Sequence, residues 1–200
     1  GTTATVTPEL SATTAADYTL KDTTAKTVPI TANNEDNVVT FELRKKVTIT
    51  VDSASKVFGQ NDPAFTGTVT GLVDASDLGA VSYVRTNNAE AVGTYNDVLS
   101  AQYTENDNYN VEIKNGTFTI TAKSIANLTV DAPTNHEYDG AEHKWAPTVT
   151  DGENNVLTEG TDYTVGYDKT DFTNVTGDIT VTITGMGNYT GTVTKTYKIT

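Results

Sequence analysis

The sequence contains no cysteine and is short of positive charge, with 13 lysines and arginines against 26 aspartates and glutamates. The absence of cysteine excludes disulfides, cysteine-ligated zinc and thiol chemistry, and it fits either a reducing or an oxidising compartment. A formal net charge of −13 repels phosphate groups. We therefore expect no nucleic acid partner and no attraction to an anionic membrane.

Long hydrophobic runs are also missing. No stretch approaches the roughly 20 apolar residues that a transmembrane helix needs, and the first residues do not resemble a signal peptide. We expect no membrane insertion in this segment. Because the chain opens at Gly1 in mid-pattern and stops within a strand at Thr200, we expect a piece of a longer protein, with its targeting and anchoring signals outside it.

Catalytic motifs are missing as well. His136 does not begin an HExxH motif, because Gly140 stands at the fourth position after it. No Gly-x-Ser-x-Gly elbow and no glycine-rich phosphate loop occurs. A glycosidase pair of carboxylates leaves no linear signature, but modules of about eighty residues rarely enclose a catalytic cleft. We expect no enzymatic activity, no cofactor and no metal site.

What the sequence does contain is threonine, which makes up about a fifth of its residues. Threonine is β-branched and favours strands. With 36% hydrophobic and 8% aromatic residues, the chain has enough apolar material for modest cores. The composition therefore predicts an all-β protein.

One alternating, strand-like pattern occurs three times, at residues 39–46, 116–123 and 195–200. Each copy contains an aromatic residue, an aliphatic residue and a lysine. The aromatic residues of successive copies are 77 and 79 residues apart, and they are Phe41, Phe118 and Tyr197. This spacing predicts successive small domains, each ending in a strand of this type.

The repeat divides the chain into modules of residues 1–45, 46–121 and 122–200. One alternation of apolar and polar residues continues across each boundary, over residues 39–51 and 118–130. Neither boundary has the Gly/Ser-rich or Pro-rich composition of a flexible linker. We expect small β modules arranged end to end through short, stiff connections. Each complete module is expected to be either an Ig-like sandwich or β-grasp-like.

The first module carries three recognisable segments, which are Asp17-Tyr18-Thr19-Leu20, Lys26-Thr27-Val28-Pro29-Ile30 and Asn37-Val38-Val39-Thr40-Phe41. Together they resemble the second half of a MucBP repeat of Gram-positive surface proteins, without its opening strands. A segment this short rarely holds a core of its own.

The second module contains Lys56-Val57-Phe58-Gly59-Gln60-Asn61-Asp62-Pro63-Ala64-Phe65, Val69-Thr70-Gly71-Leu72, Val92-Gly93-Thr94-Tyr95 and Asn108-Tyr109-Asn110-Val111. It resembles the MBG domain of bacterial adhesins. Alternating segments flank Asn115-Gly116, which predicts a β-hairpin with a type I′ turn. A single short helical turn is predicted over residues 74–80, and no other helix.

The third module contains Tyr138-Asp139-Gly140, residues 157–165, and Thr182-Ile183-Thr184-Gly185-Met186-Gly187-Asn188-Tyr189-Thr190-Gly191. It resembles the YDG-type repeats of Firmicutes surface proteins. Apolar residues at 179, 181 and 183 alternate with threonines, which predicts a strand with one buried face. The same face continues through residues 193, 195, 197 and 199.

Three residues are candidates for a site. Trp145 and Tyr138 could form a platform on which a sugar ring stacks, although the single Trp of a small β module more often fills its core. Lys195 points inward on a closing strand, and the resemblance to Gram-positive surface proteins implies that it could donate to an isopeptide bond. The alternative is a lysine whose stem lies on the core edge while its ammonium reaches water.

The resemblances imply a non-enzymatic stalk of a bacterial cell-surface protein, extracellular and attached to the cell wall, that projects a binding tip. Its neighbours would be further repeats of the same protein. The alternative is that one module binds mucin, another host glycan or extracellular matrix directly.

Overall fold

A computed structural model describes residues 2–200, apart from the side chain of Asn34. The described chain is 44% strand and 6% helix, so the all-β prediction is confirmed. The strands are β1 Thr3–Val6, β2 Tyr18–Leu20, β3 Lys26–Pro29, β4 Leu43–Val51, β5 Ala54–Val57, β6 Gly67–Thr70, β7 Ser82–Arg85, β8 Gly93–Gln102, β9 Tyr109–Lys114, β10 Gly116–Thr121, β11 Lys123–Ser124, β12 Thr129–Val130, β13 Val149–Thr150, β14 Tyr163–Tyr167, β15 Gly177–Gly185, β16 Tyr189–Thr190 and β17 Thr192–Ile199. Helix α1 spans Ala12–Asp17, and 3₁₀ turns span Asn34–Asp36 and Ile125–Asn127.

The chain forms two compact units. The first contains Gly1–Ala54, Ala64–Asn88 and Tyr95–Phe118, and the second contains Ser55–Pro63, Ala89–Thr94 and Thr119–Thr200. The division into modules at residues 45 and 121 stays a prediction, because a compact unit does not show where a sequence repeat begins.

Strand β4 organises the first unit. Its alternation places Val47, Ile49 and Val51 on the buried face, as expected for a strand with one face in the core. Its first half pairs with β2 and its second half with β6, both antiparallel. On its other edge it pairs in parallel with β9. The predicted module boundary after residue 45 therefore lies inside one continuous strand. Residues 39–42, which the predicted alternation included, precede that strand.

The hairpin predicted at Asn115-Gly116 is wrong. Strand β9 pairs with β4, whereas β10 lies between β5 and β8 in a sheet of order β5-β10-β8-β7. Gly116 is needed for a different reason. A Cβ there would lie 2.6 Å from the carbonyl oxygen of Asp52 and 2.9 Å from that of Val51, so the glycine permits a close approach of two backbone segments.

The helix prediction for the first unit is also corrected. Residues 74–79 form two overlapping turns, in which the Asp77 amide donates to the Asp74 carbonyl and the Gly79 amide to the Ser76 carbonyl. The α-helix is α1 instead. Its N-cap is Ser11, whose hydroxyl accepts a 3.3 Å hydrogen bond from the Thr14 amide, a typical capping arrangement.

The second unit is built on the antiparallel sheet β14-β15-β17. Ile179, Val181 and Ile183 of β15 are fully buried, which confirms the predicted alternation. On β17, Tyr197 and Ile199 are buried on the same core. The repeated aromatic residues Phe118 and Tyr197 thus both lie in cores.

The continuous alternation predicted over residues 118–130 is wrong. After β10, the chain forms the short strand β11, the 3₁₀ turn Ile125–Asn127 and then β12. The Ser124 hydroxyl caps this turn by accepting a 3.3 Å hydrogen bond from the Ala126 amide. The turn buries Ile125 and exposes Ala126, the reverse of the predicted pattern.

Candidate functional site

Both aromatic candidates lie in the segment of residues 134–145, which runs beside the end of β17. The His136 amide donates to the Lys198 carbonyl at 3.0 Å, and the Thr200 amide donates back to the His136 carbonyl at 2.9 Å. The Tyr138 amide then donates to the Thr200 carbonyl at 2.8 Å. Backbone bonds therefore fix this segment to the sheet edge, which positions its side chains.

The two histidines of the chain meet in this segment. The rings of His136 and His143 stack with centroids 4.1 Å apart and an interplanar angle of 16°. A nitrogen of the His143 ring lies 2.8 Å from a carboxylate oxygen of Asp139. The pKa of Asp139 is lowered, first by the hydrogen bond from the Ala141 amide and then by His143. The acid therefore stays ionised beside the histidine pair.

Tyr138 and Trp145 differ in exposure. Tyr138 is 56% exposed, so its ring is open to solvent. Trp145 is half-buried against the core of the second unit. Its indole donates to Asp131 at 3.4 Å, and its carbonyl accepts a 2.6 Å bond from the Tyr167 hydroxyl. Tyr138 is therefore the more exposed of the two predicted rings.

Lys195 lies on β17 opposite Val181 of β15 and is half-buried. This agrees with an inward-leaning position among apolar neighbours. Both the isopeptide bond and the alternative of a core-edge lysine remain predictions for this residue.

Lys56 is a buried charge that the sequence did not indicate. Its side chain is only 4% exposed, and its ammonium lies 2.8 Å from a carboxylate oxygen of Asp62. The ammonium also donates to Glu90. Burial by itself lowers the pKa of Lys56, but the bonds to Asp62 and Glu90 outweigh it and the pKa is raised. These groups form a satisfied charge cluster in the second unit.

The first unit carries two surface depressions that sequence reasoning also missed. One has a volume of 430 Å³ and is lined by polar groups that include Arg44, Tyr103 and Asp107. The other, of 330 Å³, is lined in part by Tyr18 and Val73. Both lie where residues far apart in the sequence come together.

Within residues 2–200, no group of three or more His, Cys, Asp or Glu side chains is arranged to hold a metal ion. No helix in the described part of the chain is long and apolar enough to cross a membrane.

Comparison with known protein families gives a match over part of the chain. Residues 47–119 fit the family model described as MBG domain (YGX type). No curated protein and no solved structure matches the chain. The match starts within β4 and ends within β10, so it covers strands of the first unit together with residues 55–63 and 89–94 of the second. The resemblances of residues 1–45 and 122–200 stay predictions. The part of the chain from residue 47 to residue 119 is therefore similar to MBG domains of the YGX type.

Proposed function

We propose that the chain is a non-enzymatic stalk segment of a bacterial cell-surface protein. The observation that carries the proposal is the match of residues 47–119 to the MBG domain. The second module also resembles the MBG domain of bacterial adhesins in its sequence motifs. Small β modules with filled cores suit this role, because a stalk needs stable, elongated building blocks.

The mechanism of a stalk is extension. A nine-residue strand such as β4 spans about 30 Å, so three modules in line would reach about 100 Å. Continuity of β4 across the first boundary supports a stiff connection there, because a strand bonded on both edges resists bending. The second connection contains a 3₁₀ turn, and its stiffness rests on the packing of Ile125.

The proposed setting is extracellular, on the wall of a Gram-positive cell, with neighbouring repeats of the same protein as the nearest partners. The anchor and the binding tip would lie outside this segment.

Stiffness can be tested by pulsed electron paramagnetic resonance, because the absence of cysteine allows clean labelling. Labels on Thr68→Cys and Lys169→Cys place one probe in each unit on exposed sites. A stalk predicts a single narrow distance distribution that is unchanged by dilution. A broad distribution typical of a flexible tether would contradict the proposal.

Direct binding of mucin or another host glycan is the second candidate, and the exposed ring of Tyr138 favours it. A flat, accessible aromatic ring is a surface on which sugars stack. Retention on immobilised mucin that is lost in Tyr138→Ala would support binding. Val156→Ala is the matched control, since Val156 is also exposed and lies in the same unit. No retention of the unmodified chain would leave the stalk as the function.

A further inference from the structure

Strand β4 begins before the residues that match the MBG domain. Its first part, Leu43 to Lys45, pairs with β2 through Leu20, Thr19 and Tyr18. The Lys21 amide extends this pairing with a 2.9 Å bond to the Glu42 carbonyl. The start of β4 is therefore an edge to which the preceding segment adds one short strand.

Next to this edge lies the run Arg44-Lys45-Lys46, which we call the basic clamp. The Lys46 ammonium donates a 2.6 Å bond to the Ala15 carbonyl in α1. The Lys45 ammonium lies 5.2 Å from the centre of the Tyr18 ring, within the range of a cation–π contact. Two of the three clamp side chains thus hold groups of the preceding segment.

Asp107 completes the arrangement from the loop before β9. It accepts bonds from the side chains of Arg44 and Lys21. Lys21 also lies 3.2 Å from Glu42. The bonds from Lys21 and then Arg44 lower the pKa of Asp107. One carboxylate therefore ties the segment before β4 to both β4 and the loop.

The preceding segment adds little to the core. Within the described residues, the fully buried hydrophobic side chains start at Val47. Its attachment therefore depends on the short β2 pairing and on exposed charge contacts. Exposed ion pairs are weak, and salt screens them strongly.

We propose that residues 2–42 form a releasable segment, held on β4 by the added strand β2 and by the basic clamp with Asp107. Rising ionic strength frees this segment while the sheet of β4, β6 and β9 stays intact. The inference is independent of the proposed stalk function. In a stalk, such a release would add length without unfolding the MBG-type domain.

Hydrogen–deuterium exchange of the full chain tests this proposal. Raising the salt from about 0.05 M to about 1 M shortens the Debye length from over 10 Å to about 3 Å. We expect amides of residues 18–21 to exchange about fivefold faster at high salt, with those of Val47, Ile49 and Val51 unchanged. The proposal would be overturned if the exchange rate at residues 18–21 did not depend on salt. It would also be overturned if high salt accelerated exchange equally in the second half of β4.

A variant provides a second readout. Asp107→Asn removes the shared carboxylate and should accelerate exchange at residues 18–21 at low salt, while reducing the further effect of added salt. Glu112→Gln is the matched control, because it removes the same charge from an exposed site on β9 outside the clamp. Equal behaviour of the two variants would overturn the role of the clamp.

Discussion

Gly116 gives the sharpest test of the fold. An alanine Cβ at this position would lie 2.6 Å and 2.9 Å from two backbone carbonyl oxygens, those of Asp52 and Val51. Neither oxygen belongs to a side chain that could rotate away, so the two segments must separate. Overpacking of this kind typically costs about 1–3 kcal/mol. We expect Gly116→Ala to lower the free energy of unfolding of the first unit by about 2–3 kcal/mol.

The assay is urea unfolding followed by far-ultraviolet circular dichroism. Fluorescence of Trp145 reports the second unit separately, because the single tryptophan lies there. Gly152→Ala is the matched control, since its Cβ would meet nothing within 4 Å and should change stability by less than about 0.5 kcal/mol.

Gly116→Asn separates the two explanations for this glycine. A type I′ turn tolerates asparagine at a position with positive φ. A close approach to backbone oxygens does not, because any side chain clashes. If Gly116→Asn were as stable as the unmodified chain, the close-approach explanation would be refuted. The hairpin turn would then be the favoured explanation for this glycine.

The remaining predictions concern single side chains. Lys56→Ala removes both the packing and the ion pairs of the lysine. It should destabilise the second unit by only about 1–2 kcal/mol in urea unfolding, because Asp62 and Glu90 can rehydrate. Lys56→Met keeps the packing and should cost less. Because the pKa of Lys56 is raised in the folded state, its contribution to folding stability is complete below the ordinary pKa of 10.5 and is lost as the pH rises through the higher folded pKa. A free energy of unfolding that increases above that pH would contradict this. Ser11→Ala should speed amide exchange in α1 without changing the unfolding midpoint of either unit, since it removes the N-cap. If Lys195 forms an isopeptide bond, the intact mass is lower by one ammonia or one water, and an unchanged mass dismisses the bond.

Local alternation predicted the parts of the fold that depend on one strand at a time. The buried faces of β4 and β15 followed from a period of two residues, because that period needs no knowledge of the partner strand. Pairing depends on the rest of the chain. Asn115-Gly116 has the composition of a hairpin turn, but β9 bonds to β4 and β10 joins another sheet. The short helix α1 was missed because six residues give little periodicity.

The site was only partly visible in the sequence. Residue type alone indicated Tyr138 and Trp145 as candidates, but their exposure depends on packing around β17. Lys56 was missed because Glu90 is 34 residues away in the chain. The clamp partner Asp107 is 63 residues from Arg44, and no local pattern relates such distant charges.

Small-angle X-ray scattering of the full chain tests the central claim, that reach is the working property of this segment. A compact globule of 200 residues would have a radius of gyration of about 16 Å. The account predicts a clearly larger radius and a maximum dimension approaching about 100 Å, with no change on dilution. A radius near 16 Å would contradict it.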